Sequence, residues 1–315
     1  MSRHFASLAF IKFLVFGTIL FWSQPCEANW MRTYGGSGSD WAYFVQQTKD
    51  EGYIVSGETA LGSGGDDAWV MKLDSLGNVT WQKTYGGTRN DYAWSVQQTA
   101  DEGYIITGQT TSFGVGNSDI WLLKLNGTGD IAWQKTYGGT SNDYAWSVQQ
   151  TADEGYIIAG KTTSFGAGEG DAWVMKLDSL GNVTWQKTYG GSGDDRALSI
   201  HQTADEGYII VGETYSFGSG DCDAWVMKLD SLGNVTWQKT YGGSKYDAAW
   251  SVQQTADGGY IVAGLTTSFG AGDCDAWVMK LDSLGSITWQ KAYGGTKYDA
   301  ASYVRKTTDG SYIVT

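Results

Sequence analysis

Proline is almost missing from this 315-residue chain: Pro25 is the only one, so no later segment is broken or stiffened by a pyrrolidine ring. Histidine is nearly as scarce, at His4 and His201. That excludes a multi-histidine zinc centre and leaves His201 alone for acid–base work in the body of the chain. Cysteine occurs only as Cys26, Cys222 and Cys274. The last two hold the same place in consecutive copies of a repeat, where spacing exceeds the roughly 7 Å Cα limit of a disulfide, so both are expected to be free. Positive charge is also short, with 21 Lys and Arg against 34 Asp and Glu and a net charge of −13. Such a chain is not expected to bind nucleic acid by neutralising phosphates, and anionic membranes repel it. Helical periodicity is absent as well. No segment keeps a 3.6-residue period over three turns, and the 45 glycines interrupt every long stretch.

The first 28 residues read as a secretory signal peptide. Arg3 and Lys12 precede an apolar run, Phe13 to Trp22, and a polar stretch from Ser23 ends on the small residue Ala28. Cleavage is expected between Ala28 and Asn29. The run is too short for a permanent membrane helix, and no later stretch is long and apolar enough for one, so no membrane insertion is expected. Cys26 lacks a lipoprotein context, so no lipid anchor is expected. The mature chain then carries 19 basic and 33 acidic residues, a net charge of −14, and is placed outside the cytoplasm, secreted or at the cell surface.

A repeat of 51 or 52 residues fills the rest, marked by Tyr-Gly-Gly starting at Tyr34, Tyr85, Tyr137, Tyr189, Tyr241 and Tyr293. Each copy holds four runs rich in Trp, Tyr, Ile, Val and Thr, divided by turn signals such as ADEG and DSLGN. Four strands in sequence make an antiparallel meander, and stacked meanders of this length make a propeller. The expected fold is all-β: a β-propeller of four-stranded antiparallel blades with six repeat positions, the last blade incomplete. Residues 29–315 form it, with blades at about 41–86, 92–138, 144–190, 196–242 and 248–294, and a partial blade at 300–315 joined by an N-terminal strand at 29–35. The glycine of ADEG is expected to take positive φ. Trp69, Met71 and Leu73 should share one face with Ala68 and Val70 on the other, and Val79, Trp81 and Tyr85 should share a face of the outer strand. The partial blade lacks its third strand. The chain is therefore expected to be a truncated piece of a longer propeller; otherwise it is a six-position ring whose sixth blade has a parallel pairing or a gap.

Two sets of carboxylates recur. Asp40, Asp91, Asp143, Asp195, Asp247 and Asp299 follow Tyr-Gly-Gly, and Asp67, Asp119, Asp171, Asp223 and Asp275 stand two residues before the third-strand Trp. Capping of loop amides is the expected role; the second set is also the candidate if the protein takes calcium. No cofactor is otherwise expected. Asn-x-Thr at Asn78, Asn126, Asn182 and Asn234 reads as a turn followed by a strand start. In a meander the ADEG and DSLGN turns emerge at one end, and the longer, varied connections at the other. Varied loops on a rigid scaffold are where recognition resides. Trp41, Tyr92, Tyr144, Arg196, Tyr246 and Tyr298 are the candidate ligand-binding residues there, for a protein or carbohydrate partner.

The run from Trp69 to Thr110 resembles the bacterial and archaeal β-propeller repeat family called SBBP. It matches at Lys72–Asp74, Gly77–Asn78, Thr84–Gly87, Asp91, Gly103–Tyr104, Gly108 and Thr110. The resemblance spans residues 29–315 and implies an exported or surface propeller, often seven-bladed, with no catalytic residues to carry over. Six copies depart from that count. The function expected is a non-catalytic binding or adhesion scaffold. The alternatives are a structural repeat segment of a larger surface protein, or a propeller enzyme such as a lyase or glycosidase.

Overall fold

The structure is a computed structural model that describes residues 30–62, 64–307 and 310–315; the leader assigned to residues 1–28 lies outside the described residues. Among the described residues there is no helix, and none that could cross a membrane. Blade one comprises Asp40–Gln47, Tyr53–Thr59, Asp67–Leu73 and Val79–Tyr85, hydrogen-bonded in that order. Four further sheets repeat the inner, second, third and outer strands, with inner strands at Asp91–Gln98, Asp143–Gln150, Asp195–Gln202 and Asp247–Gln254. A sixth position holds two short strands, Val304–Lys306 and Tyr312–Val314.

Why the sheets stack follows from side-chain volume. The third-strand tryptophans are 2–5 % exposed. Trp121 and Leu123 of blade two lie in one cluster with Ile54, Ala68, Val70 and Tyr85 of blade one, and the same pattern recurs at each following junction. Large residues of one sheet thus fill a hollow floored by small residues of the sheet before it. Each buried indole contributes about 2–3 kcal/mol to that junction.

The outer strand departs from the simple alternation. Lys72 pairs with Trp81 but Leu73 pairs with Val79, so Thr80 is an extra residue whose hydroxyl donates to the Lys72 carbonyl at 2.9 Å. This bulge flips the pleat, and Val79 does not share a face with Trp81. Val79 is exposed, while Trp81 and Tyr85 join the small-residue face and wall its hollow. The ADEG turn also differs from expectation. Positive φ falls on Glu51, Glu102, Glu154 and Glu206 (63–64°), not on the glycine that follows; in blade five Gly258 takes the position. In the DSLGN turn the glycine does carry positive φ, 75° at Gly181. The glycine also keeps a Cβ from lying 3.0 Å from the Trp133 ring of the preceding blade.

Glutamine latches tie the inner strands around the axis. Gln46, Gln97, Gln149 and Gln253 each offer Oε1 to the backbone N–H of the next inner strand, at 2.6–2.9 Å. His201 replaces the glutamine in blade four and turns its Nδ1 to the Gln202 carbonyl at 2.7 Å. Burial lowers the His201 pKa, so the fold favours the neutral ring. Stability from this group is therefore complete above the unfolded value of 6.5 and declines as pH falls through it. Exchanging His201→Gln is expected to restore the latch to Gln254. Thermal unfolding followed across pH 5 to 8 should show about 1 kcal/mol of added stability and loss of the acidic decline.

Around the ring, the first and sixth positions meet at the axis, where Phe44 and Tyr303 pack edge to face with centroids 5.6 Å apart. Trp30 packs on Tyr53 at 6.0 Å and the Tyr34 hydroxyl donates to the Gly77 carbonyl at 2.7 Å. Trp81 and Tyr85 make the same two contacts with Tyr104 and Gly129 of blade two. The N-terminal segment therefore takes the outer-strand place against blade one. It does so without a ladder: among the described residues no pairing joins it to Tyr312–Val314.

Candidate functional site

The connections between second and third strands and those leading into the next inner strand share one end of the stack. Asp143 N donates to the Ser118 carbonyl at 2.8 Å, and equivalent bonds join Asp195 to Gly170, Asp247 to Cys222 and Asp299 to Cys274. The carboxylates beneath this end brace it. Asp119 Oδ2 accepts from Val115 N and Gly116 N at 3.0 Å, and Asp91 Oδ2 from Gly87 N at 2.8 Å and Ser112 Oγ at 2.7 Å. Asp171 and Asp223 likewise accept from Ala167 N and Ser219 N at 2.7 and 2.8 Å. Amide capping is the geometry seen, and among the described residues no group of three or more metal-ligating side chains gathers.

At the long-loop rim the five complete blades differ. The second residue of each inner strand pairs across the ladder with the residue between glycine and threonine of the second strand. The pairs are Trp41 with Glu58, Tyr92 with Gln109, Tyr144 with Lys161, Arg196 with Glu213, and Ala248 with Leu265. Next to each pair, one inner-strand residue bulges out of register: Tyr43, Trp94, Trp146, Leu198 or Trp250. Bulges re-aim side chains. They occur here because the facing residue is glycine: at Gly160 a Cβ would lie 1.8 Å from the Tyr144 carbonyl oxygen.

The rim has an aromatic half and a charged half. In blades one to three Tyr43 packs on Trp94 at 4.4 Å, Trp94 stacks on Tyr92 at 5.6 Å and Tyr144 on Trp146 at 6.0 Å. Trp41 stands 60 % exposed beside them. Burial, then the hydrogen bond it donates to Glu58, push the Tyr43 hydroxyl well above the usual phenol range. In blades three to five Lys161 pairs with Asp194 at 2.5 Å, and Arg196 bridges Asp194 and Glu213 at 2.7 Å each. Tyr246 donates to the same Glu213, and burial followed by that carboxylate raises its pKa. Cys222 and Cys274 are free and buried; burial pushes the Cys222 thiol up to about 12, which leaves it unreactive.

Of the six candidates read from sequence, Arg196 and Tyr246 meet through Glu213, and Tyr92 and Tyr144 each join a tryptophan stack. Trp41 and Tyr298 are exposed, the latter by 65 %, on blades one and six. Sequence reasoning missed Glu58, Lys161 and Glu213, although the Gly-x-Thr position changes from Glu to Gln, Lys, Glu and Leu along the copies. It also missed Tyr43, Trp94, Trp146 and Trp250. Only the bulge shows that they leave the ladder.

No family model matches the chain. The regulatory protein FlaEY of Caulobacter vibrioides is 26 % identical over 138 residues, covering 39 % of this chain and 14 % of that protein. The chain thus spans a small part of that relative's length. Among solved structures, the WD40 domain of Neurospora crassa Pan2 aligns with a TM-score of 0.54 and 12 % identity over 84 % of this chain and 68 % of that one. A protein of unknown function from Bacteroides caccae aligns with a TM-score of 0.50 and 10 % identity, over 81 % and 82 % of the two chains. A protein with the provisional name gluconolactonase gives 0.50 and 11 %, over 89 % and 87 %. At these identities the likeness is one of fold, and the fold is propeller-like: five complete blades and a small sixth.

Proposed function

We propose that this protein is an exported, non-catalytic propeller of the SBBP-repeat kind that binds a protein or carbohydrate partner at its long-loop rim. One contrast carries the reading. The latches, the third strands and the short turns are nearly uniform from blade to blade, while the rim pairs change at every position. Rigid aromatic rings next to hydrogen-bonding acids suit a partner with apolar faces and hydroxyl or amide edges, at low entropic cost on binding. Against a catalytic role, His201 stands at the short-turn end, where it replaces a latch glutamine, and not at the rim. Export rests on the composition of residues 1–28 and is tested by N-terminal sequencing of the secreted chain, which should begin at Asn29.

Binding is tested with the mature chain on glycan and protein arrays. A ligand that loses about tenfold or more affinity with Trp41→Ala or Trp94→Ala, but not with Leu180→Ala at the short-turn end, supports the rim. Ligands indifferent to all rim changes would remove it.

A further inference from the structure

Blade four shows how a buried carboxylate at the rim is completed. Glu213 is 2 % exposed and stands opposite Arg196 in the ladder; it accepts from the Arg196 guanidinium at 2.7 Å and from the Tyr246 hydroxyl of the next blade. Blade one carries the same carboxylate in the same register, but here Glu58 stands opposite Trp41. Among the described residues no Lys or Arg pairs with Glu58. Asn90, which holds the place of Tyr246 in blade two, engages its amide with the Tyr92 hydroxyl and the Asp66 N–H at 3.1 Å each.

Glu58 is 9 % exposed, and its Oε2 is buried with no hydrogen-bond partner among the described residues. Burial raises its pKa by more than the Tyr43 hydrogen bond lowers it, and Asp66 adds to the rise. An uncompensated carboxylate at this depth is costly, and native folds retain few such groups. Aromatic side chains surround the position. Trp41 is 60 % exposed, Tyr43 lies 4.4 Å from Trp94, and Trp94 stacks on Tyr92 at 5.6 Å. Trp94 Nε1 is also buried without a partner. Rotation of the Glu58 carboxyl about its last torsion brings either oxygen to the solvent opening.

We infer that the rim between blades one and two binds an arginine side chain of a protein partner, its guanidinium paired with Glu58 and laid against the Trp41 and Tyr43 rings. This rests on the rim reading above and narrows it from a protein or carbohydrate to a basic protein segment. Arg196 is the template, since in blade four a guanidinium meets the equivalent carboxylate from within the chain. A guanidinium pairs with a carboxylate and stacks on aromatic faces at once, where an ammonium supplies a point charge. A neutral sugar hydroxyl could donate to Glu58 but would leave its charge uncompensated. Trp94 Nε1 is a donor that a main-chain carbonyl beside the arginine can meet. The net charge of −13 draws a basic segment toward the surface.

The test titrates the mature chain into fluorescein-labelled Gly-Gly-Arg-Gly-Gly, followed by anisotropy. Saturable binding with Kd between about 10 and 300 μM is expected. It should weaken about tenfold or more when citrulline, the uncharged isostere, replaces the arginine, and by as much with Glu58→Gln in the host. Glu169→Gln, an equal loss of charge in an exposed loop of blade three, should change it less than about twofold. Unchanged circular dichroism will show that Glu58→Gln folds, as expected where no internal cation is stranded. Trp41→Arg copies the blade-four pair within the chain. It should abolish peptide binding and raise the melting temperature by about 2 °C or more, a gain lost when Glu58→Gln is added. Absence of saturation up to about 1 mM, equal binding of the citrulline peptide, or equal effects of the Glu58 and Glu169 changes overturns the inference. So does a Trp41→Arg chain that binds the peptide as the parent does. A ligand from the arrays that depends on Trp41 but not on Glu58 also overturns it, and leaves the rim reading standing.

Discussion

Trp225→Ala is expected to lower the unfolding free energy by about 3–5 kcal/mol, whereas Trp289→Ala costs about 1 kcal/mol or less. Both residues are copies of tryptophans that recur in every complete repeat, and sequence alone would rank them alike. Trp225 is 2 % exposed and lies in one cluster with Ala172, Val174 and Tyr189 of the blade before it. Removing its indole leaves a cavity between two stacked sheets, neither of which can collapse without breaking its own ladder. Trp289 lies on the open face of blade five, where water already reaches it. Trp237, half-buried against Tyr260 with centroids 6.0 Å apart, should fall between the two. Denaturant unfolding of the three variants checks the order. Equal losses at Trp225 and Trp289 would mean that the junctions are not built as described.

Arg196→Ala is expected to cost about 3–5 kcal/mol, a large effect for a half-exposed rim residue. The reason lies beneath it: Glu213 is 2 % exposed, and Arg196 is its cationic partner at 2.7 Å. Without the guanidinium a buried carboxylate keeps the Tyr246 hydroxyl but loses its counter-charge. Blade five shows how the same place is filled without charge, by Ala248 opposite Leu265. The double change Arg196→Ala with Glu213→Leu recreates that pair and should recover most of the loss, ending within about 1.5 kcal/mol of the parent. A double variant no better than Arg196→Ala alone would contradict the assignment of the cost to the stranded carboxylate.

Much of this architecture could be read before any coordinates. The Tyr-Gly-Gly period marks the blades, strand-length runs between turn signals mark the meander, and the Trp-x-Met-x-Leu spacing marks one apolar face. What escaped reading was set by single-residue irregularities. The bulge at Thr80 sends Val79 and Trp81 to opposite faces, a parity change that composition does not encode. The positive φ of Glu102, Glu154 and Glu206 follows from turn geometry at a residue type that normally avoids it. The candidate rim was half legible. The varied residues of the inner strands stood out, but their partners Glu58, Lys161 and Glu213 emerge only from the antiparallel register. The bulged tryptophans Trp94, Trp146 and Trp250 looked like ordinary strand residues. The missing latch at His201 was visible as a substitution, although its consequence was not, because the glutamine bonds cross between repeats.

Closure of the sheets around an axis makes the first and sixth inner strands neighbours. Spin labels at Gln47→Cys and Lys306→Cys, with Cys26→Ser and the buried Cys222 and Cys274 left in place, measure this by double electron–electron resonance. The ring predicts a separation under about 20 Å, whereas a linear stack of six sheets at about 10 Å spacing would place the labels about 50 Å apart and contradict it.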